Sequence, residues 1–368
     1  MNISNIITPE QLDALIKFGI NVLIIIIKIA VVLGIGLLHV AYATYFERKV
    51  IGHMQVRLGP MRVGPHGLLQ PFADGLKLFF KEDIIPDKAD KPVFYLAPLI
   101  FMASAMINLS FIPFSYNSYN FVIANIPFSI NFVIANINIG LLFVFAMAGI
   151  GVYGIFISGW ASNSKYAFIG GLRSAAQVIS YEIALGLSLV GVMIMAGSLN
   201  LTDIVRAQEE SIFGMFAIPQ IVGFVVFTIA AVAETNRTPF DMPEAESELV
   251  AGYFTEYSGF RFALFFLGEY IAMFIMASMA TVCFLGGWTL PWYITKFVPF
   301  ITLVPGIVWF LMKVYAFIFF YYWIRATVPR YRYDQLMAIG WKILIPIALA
   351  NILVTGLVKI IITTLKGA

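Results

Sequence analysis

Six carboxylates and one arginine are concentrated in residues 233–257, between two apolar stretches. A loop that only joined two membrane helices could be short and neutral. This density of charge therefore indicates ion, proton or ligand chemistry at a membrane surface. The charged residues are Glu234, Arg237, Asp241, Glu244, Glu246, Glu248 and Glu256.

Part of this charge has a structural explanation, because Asp241-Met-Pro-Glu244 is typical of a helix start. Asp241 takes the N-cap position, a proline lies in the first turn, and Glu244 takes the capping-box position. Glu244 and Glu248 then lie one turn apart on one face, where like charges repel each other. A shared proton or a cation would relieve this repulsion, and Arg237 is the nearest candidate in sequence. Helix capping on a solvated face is the alternative explanation.

Ionisable side chains also lie within the apolar stretches, where each costs about 2.5–3.5 kcal/mol near the bilayer centre. Glu182 and Glu269 each lie about eight residues from the inside end of their predicted helices, which corresponds to roughly 12 Å of rise. Together with Glu234 and the loop acids, they predict a polar path from the inside surface toward the middle of the membrane. Lys28 and Lys313 either have a functional role or snorkel, with their charged ends at the membrane surface.

The composition predicts an all-α, polytopic membrane protein. Of 368 residues, 61% are hydrophobic and 12% charged, and the mean hydropathy is +0.90. Soluble domains carry about 25% charged residues. We expect a single integral membrane domain over residues 1–368. Its eight transmembrane helices are predicted at about 18–45, 92–112, 138–158, 174–198, 217–235, 262–285, 303–325 and 340–363.

The orientation follows from the basic residues in the connections. Sixteen Lys and Arg residues lie in or beside the connections on one side, against two on the other. We therefore expect the basic side to face inside and both termini to face outside. The first residues lack the basic stretch and cleavage site of a signal peptide, so the first helix is expected to be retained.

Two connections carry further patterns. From Val63 to Lys81, Leu68, Leu69, Phe72, Leu76, Phe79 and Phe80 recur at helical spacing. This spacing predicts an amphipathic helix on the inside membrane face, which serves either as an anchor or as the wall of a lateral opening for a lipid-like substrate. On the outside, the sequence Asn-Phe-Val-Ile-Ala-Asn-Ile occurs at 120–126 and again at 131–137. This local duplication is either a short hairpin about Pro127, packed on another subunit or on lipid, or a tolerated insertion.

The chain lacks the ligands that electron carriers need. It has one cysteine, Cys283, and three histidines, His39, His53 and His66. Iron–sulfur clusters need several thiolates and a bis-histidine haem needs a facing pair. No nucleotide, metal or nucleophile motif is visible. We therefore predict no catalytic residue and no metal site in this chain, so electrons for any redox reaction come from a partner subunit.

Several long motifs occur in a recognisable order: Glu47-Arg-Lys49, Arg57-Leu-Gly-Pro60, Gln70-Pro-Phe-Ala-Asp-Gly-Leu-Lys77, Gly159-Trp-Ala-Ser-Asn-Ser-Lys-Tyr166, Leu172-Arg-Ser-Ala-Ala-Gln-Val-Ile-Ser-Tyr-Glu182, the 233–257 block and Gly268-Glu-Tyr270. On these motifs the chain resembles the H-subunit family of respiratory NADH:quinone oxidoreductase, or complex I, whose mitochondrial equivalent is subunit 1. The resemblance covers about residues 45–345 and excludes the outside segment 113–137.

The resemblance implies an eight-helix subunit that docks the peripheral arm and forms most of a quinone tunnel. By this resemblance, Arg48, Asp74, Lys77, Arg237 and Asp241 lie along the tunnel or near it. Glu182, Glu234, Glu244, Glu246, Glu248, Glu256 and Glu269 belong to the acidic path that couples quinone reduction to proton translocation.

The resemblance also implies the partners. Quinone is the substrate, and NADH, FMN and iron–sulfur clusters belong to partner subunits, so this chain alone binds no cofactor. The expected partners are the peripheral quinone-site and iron–sulfur subunits, small membrane subunits, antiporter-like subunits and membrane lipids, with no nucleic acid. We expect a bacterial inner membrane location, with the mitochondrial inner membrane as alternative.

Two other functions are compatible with the sequence. One is the equivalent subunit of a membrane-bound hydrogenase or ferredoxin-dependent complex. The other is a stand-alone ion-coupled transporter, since buried acids and a lysine also suit that activity. Such transporters often contain an inverted repeat, and none is apparent between the two halves of this sequence.

Overall fold

The computed structural model describes residues 9–115, 118–123, 126–131, 133–241, 251–297 and 304–367. Helices dominate these residues. They are α1 (Pro9–Met54), α2 (Gln70–Phe80), α3 (Lys91–Leu109), α4 (Gly140–Ala161), α5 (Lys165–Ala196), α6 (Leu201–Glu209), α7 (Ile221–Glu234), α8 (Gly259–Phe284), α9 (Trp292–Phe297), α10 (Gly306–Thr327), α11 (Tyr333–Ala338) and α12 (Ile345–Gly367). A π-helical turn, Ile339–Leu344, joins α11 to α12.

The prediction of a polytopic membrane protein is confirmed. In the described part of the chain, seven helical segments are long and apolar enough to cross a membrane, and the shorter apolar helix α7 corresponds to the fifth predicted span. Several helices extend beyond the predicted spans. For example, α5 begins at Lys165 rather than near residue 174, because small and apolar residues continue the helix before the predicted span.

The core is centred on α8. In its most apolar window, 78% of the residues are buried within the chain, compared with 6% for α1 and 11% for the segment that ends in α12. Helices α1, α3, α7 and α10 all contact α8. The first and last helices therefore present most of their apolar surface to whatever surrounds the chain.

The segment that contains the local duplication forms a hairpin, but its turn lies elsewhere than predicted. Strands β1 (Ser118–Ile123) and β2 (Ile126–Asn131) pair antiparallel, with Val122 opposite Pro127. The turn thus precedes Pro127, which lies within β2, where its missing N–H removes one possible ladder bond. The first copy of the repeat begins within β1, whereas residues 133–137 of the second copy are neither helix nor strand.

The amphipathic prediction is confirmed for α2. A 3-10 turn, Pro65–Gly67, precedes the helix, and Phe72, Leu76, Phe79 and Phe80 on the helix are exposed. Helix α2 contacts both α1 and α8. It therefore bridges two of the membrane-spanning helices.

Candidate functional site

A buried group of charged residues lies where α1, α8 and α10 meet the turn after α7. Glu47 on α1 is only 3% exposed. Arg237 Nη1 lies 3.5 Å from Glu47 Oε1, and Arg325 on α10 contacts the same oxygen. The hydroxyl of Tyr270 on α8 donates to Glu47 Oε2 at 2.5 Å. We call Glu47, Arg237, Tyr270 and Arg325 the Glu47 cluster. Two arginines share the Glu47 carboxylate, and Glu269 adds a further negative charge near Arg237.

Arg237 keeps unused hydrogen-bonding capacity. The residue is 7% exposed, and its guanidinium carbon lies 4.1 Å from the centroid of the Tyr270 ring. Its Nε and Nη2 are buried and have no hydrogen-bond partner among the described residues. Burial alone lowers the pKa of the guanidinium, but Tyr270 and Glu47 outweigh burial and raise it above its usual value. Arg237 is therefore a permanently charged donor suited to an acceptor oxygen.

A second polar site lies beside the first. Glu234 at the end of α7 and Glu269 on α8 line one cavity of about 50 Å³ together with Ser104, Asn108 and Asn236. We call it the acid cavity. Glu182 is close enough to Glu234 for the two carboxylates to repel each other electrostatically. The structure thus brings together the three acids that the sequence places in the spans.

The acid cavity contains oxygens that lack hydrogen-bond partners. Glu234 Oε2, Asn108 Oδ1 and Asn236 Oδ1 are buried and unpaired within the described part of the chain. A polar space of more than about 15 Å³ can hold a water molecule that pairs such groups. The rest of the lining is mostly apolar, so room for water that could pair these oxygens lies at the polar part of the cavity.

Two side chains hold the acid cavity in shape. The hydroxyl of Tyr253 donates to Glu269 Oε1 at 3.0 Å. Gln177 on α5 donates to the carbonyls of Ala233 and Phe240, at 2.7 Å each. Because Gln177 joins both ends of the turn that contains Glu234 and Arg237, it fixes the acid cavity and the Glu47 cluster relative to α5.

Glu182 also faces a different surface. It lies on the wall of an apolar groove between α4 and α5, with a volume of about 430 Å³ and with Leu141, Phe145 and Ile183 among its lining residues. The carboxylate therefore stands between the acid cavity and the outer face of the helix bundle.

The remaining predicted tunnel residues form smaller contacts. Arg48 Nη1 lies 2.7 Å from Asp74 Oδ2, which joins α1 to α2, and Lys77 is exposed on α2. Asp241 is buried, and Arg330 Nη2 lies 3.3 Å from its Oδ2. Arg48 and Asp74 thus form an ion pair between α1 and α2, and Lys77 lies one turn after Asp74 on α2.

The structure leaves part of the predicted acidic path undescribed. Glu244, Glu246 and Glu248, and with them the predicted helix start after Asp241, lie outside the described residues. Glu256 is half-buried in the turn before α8 and does not line the acid cavity. Among the described residues, the ion-pair partner of Arg237 is Glu47 and not a loop acid.

Sequence reasoning missed Glu47, Tyr270, Arg325 and Tyr253 as site residues. Glu47 follows the end of the first predicted span, where a carboxylate next to Arg48 and Lys49 is typical of a solvated helix end. Its burial depends on partners 190, 223 and 278 positions away in the sequence. The one available signal was that Tyr270 directly follows Glu269 in a predicted membrane span.

Lys313 has a structural explanation. Its Nζ donates to the carbonyls of Leu285, Gly287 and Thr289 at 2.7, 2.9 and 2.6 Å. These carbonyls follow the end of α8, where the backbone needs donors and a cation is favoured. The lysine thereby joins α10 to the turn after α8. Lys28 is half-buried on α1.

Within the described residues, no group of three or more His, Cys, Asp or Glu side chains is arranged to hold a metal ion.

The chain is similar to known proteins over most of its length. The model of the NADH dehydrogenase family matches residues 27–356. The chain is 50% identical over 340 residues to the second H subunit of NADH-quinone oxidoreductase from Geobacter metallireducens, covering 90% of this chain and 94% of the relative. It is 52% identical over 333 residues to the H subunit of the same enzyme from Brevibacillus brevis, covering 90% and 91%. It is 51% identical over 317 residues to the protein of the same name from Rhodospirillum rubrum, covering 86% and 88%.

Proposed function

The chain belongs to the NADH dehydrogenase family, as a membrane subunit of the proton-translocating NADH-quinone oxidoreductase (complex I), and from this premise we propose what its two polar sites do. The Glu47 cluster contacts quinone on its way to reduction. The acid cavity passes the resulting change of charge to a proton path.

The proposal for quinone rests on Arg237. Quinone oxygens accept hydrogen bonds, and the buried Nε and Nη2 of Arg237 are donors without a partner among the described residues. The Tyr270 ring and Glu47 hold this guanidinium in place. Quinone enters from the bilayer beside α1 and α2, where Arg48, Asp74 and Lys77 lie at the surface, and Asp241 stands on the inside near Arg330.

Reduction itself depends on partner subunits. Quinone is reduced when it accepts two electrons and two protons. The electron carriers, which are NADH, FMN and the iron–sulfur clusters, belong to the peripheral subunits. This chain supplies the passage, the positive charge of the Glu47 cluster and proton-binding side chains, and none of its residues is proposed as catalytic.

The proton path rests on one observation, the position of Glu234. Its carboxylate lies in electrostatic range of Glu182 and lines the same cavity as Glu269. Three unpaired oxygens surround that cavity, so water can connect the carboxylates. A negative charge on reduced quinone near Arg237 favours proton uptake at the acids beside it, because a like charge disfavours the ionised carboxylate. Glu244, Glu246, Glu248 and Glu256 extend this path toward the inside, and Glu182 extends it toward the next membrane subunits.

The test replaces Glu234 with glutamine in the assembled complex. We expect proton pumping per NADH oxidised to fall at least about tenfold, since a fixed amide cannot exchange a proton as a general acid–base group does. The control is Glu209→Gln, an exposed acid at the end of α6. Normal pumping in the Glu234 variant would remove this residue from the path.

We also propose the placement of the chain. The basic inside connections dock the peripheral quinone-site and iron–sulfur subunits, while the exposed apolar helices pack against lipids, small membrane subunits and antiporter-like subunits. The chain resides in a bacterial inner membrane with both termini on the periplasmic side. Labelling single cysteines, introduced in the 46–91 and 199–216 connections, with an impermeant reagent would test this orientation in intact cells.

The alternative of a hydrogenase or ferredoxin-dependent complex is less supported. The relatives described above, at about 50% identity, are named for NADH-quinone oxidoreductase. Purification with the partner subunits, followed by assay of NADH-driven quinone reduction, would separate these functions. A stand-alone transporter would show activity as an isolated chain.

A further inference from the structure

Helix α2 is attached at its first half to α1. Arg48 Nη1 lies 2.7 Å from Asp74 Oδ2, and the hydroxyl of Tyr45 donates to the carbonyl of His66 at 2.8 Å. The Tyr42 and Phe72 rings meet edge to face at 6.4 Å. These contacts hold one end of the amphipathic helix.

The other end of α2 is attached to the start of α8 through the backbone that follows it. The amide of Ile84 donates to Ser258 Oγ at 3.0 Å, and Ser258 Oγ donates to the carbonyl of Glu82 at 3.2 Å. Gly259 has φ +56°, and a Cβ there would lie 3.0 Å from the carbonyl oxygen of Lys81. The two segments therefore approach as closely as a glycine allows.

Arg261 completes this attachment. Its side chain is only 10% exposed, and Nη2 lies 2.9 Å from Asp83 Oδ2. The guanidinium carbon lies 3.8 Å from the centroid of the Tyr95 ring and 5.5 Å from that of Phe94, both on α3. A buried guanidinium is costly unless it is paired, and here the ion pair and two aromatic rings offset that cost.

These contacts fix the position of the end of α2 relative to α8 and α3. An apolar residue at 261 would pack between aromatic rings without desolvating a charge, but it would not hold Asp83. Because Arg261 contacts Asp83 and α3 at once, the end of α2 cannot move from α8 without separating the ion pair or the stacked rings. The exposed apolar face of α2 between its two attachments includes Phe72, Leu76 and Phe79.

We propose that Ser258, Gly259, Arg261 and Asp83 form a clasp that positions the end of α2 against α8 and sets the width of the passage through which a long-chain quinone enters. This inference rests on the proposed function, since it assumes that quinone enters between α1, α2 and α8. The residues of the clasp act through α2 and are positioning residues.

The test uses the assembled complex in proteoliposomes with Asp83→Asn, Ser258→Ala and Arg261→Leu. KM and kcat are measured for a quinone with a long polyprenyl tail and for one with a decyl tail. We expect KM for the long-tail quinone to rise about threefold in Asp83→Asn, as suits a partly exposed ion pair. We expect kcat for the decyl quinone to be unchanged. Arg261→Lys, which retains the charge, should recover part of the loss.

The matched control is Asp203→Asn, because Asp203 lies on α6, away from α2, and pairs with Arg206 at a similar exposure of 45%, against 37% for Asp83. If Arg261→Leu fails to assemble, the milder Asp83 and Ser258 variants still decide the matter. Equal changes with both quinones, or no change with either, would overturn the clasp.

Failure of the proposed function is detected separately. A photoreactive polyprenyl quinone is cross-linked to the unaltered complex, and the labelled peptides are identified. Label on residues 70–84 or at the start of α8 supports the passage itself. Absence of label from both segments would overturn the passage, and the clasp with it, whereas label there with unchanged KM values would overturn the clasp alone.

Discussion

Glu269 and Tyr270 are adjacent on α8, yet they point into two different polar sites. The Glu269 carboxylate lines the acid cavity and accepts from Tyr253, whereas the Tyr270 hydroxyl donates to Glu47. One turn of α8 thus forms a wall shared by the two sites. A shift of this turn caused by a ligand at the Glu47 cluster would move Glu269 as well.

Replacing Tyr270 with phenylalanine tests the quinone side of this wall. The ring over Arg237 is retained, but the hydrogen bond to the Glu47 carboxylate is lost, which is worth about 1.5–3 kcal/mol for a charged acceptor. We expect KM for quinone to rise about tenfold. Steady-state NADH:quinone kinetics measure it, and Tyr293→Phe on α9 is the control. An unchanged KM would argue against quinone binding at this cluster.

Replacing Tyr253 with phenylalanine tests the other side. The Glu269 carboxylate loses the Tyr253 hydroxyl that donates to it, while the Glu47 cluster is unaltered. We therefore expect proton pumping per NADH oxidised to fall, with a smaller relative change in KM for quinone. Glu182→Gln and Glu269→Gln should depress pumping or coupled turnover further, by about tenfold or more, since each removes a proton-exchanging group. Proton uptake and NADH oxidation, measured together in vesicles, give the ratio. Glu210→Gln, at an exposed residue directly after α6, serves as control, and normal values for both acid variants would contradict the path.

Removing the charge of Glu47 should destabilise the subunit itself. Glu47→Gln leaves Arg237 buried without its carboxylate, and breaking a buried ion pair costs about 3–5 kcal/mol. We expect a lower midpoint of thermal unfolding in detergent and poor incorporation into the complex. Asp334→Asn, which breaks an exposed pair with Arg332, should change stability by less than about 1 kcal/mol. Equal effects of the two variants would show that the cluster is solvated.

Lys313→Met should reduce stability without uncoupling the enzyme. The change removes three hydrogen bonds to the carbonyls after α8, and a charged donor contributes about 1.5–3 kcal/mol. Thermal unfolding and the ratio of protons to electrons are compared with those of Lys28→Met. A normal midpoint of unfolding with a reduced ratio would assign Lys313 to the proton path instead.

The sequence predicts the spans well because each requires only a run of apolar residues of bilayer length. Helix ends were less predictable, as the nine-residue extension of α5 before residue 174 shows, since a helix continues beyond the bilayer wherever local residues permit. The hairpin turn was misplaced at Pro127 because strand register depends on pairing between the two strands rather than on one residue.

The candidate site was predictable in part. Glu182, Glu234 and Glu269 were singled out because an acid in an apolar run is unusual, and the structure places them near one another, while their role in a proton path stays a prediction. Glu47 and Arg325 were not, because each lies at a helix end among other charges, where exposure is the usual outcome. Only the packing of α1 against α8 and α10 buries them, and no local sequence pattern indicates a contact between residues so far apart in the chain.

The unequal burial of the spans has an evolutionary consequence. On α1 and on α12, a substitution is tolerated or rejected according to the lipid or protein that faces it, so these helices can change together with their neighbours. In α8, 78% of the residues in the most apolar window are buried within the chain. The effect of the same substitution there depends on packing within this chain alone. Divergence between related complexes should therefore be greatest at the two ends of the chain and smallest along the helix that carries Glu269 and Tyr270.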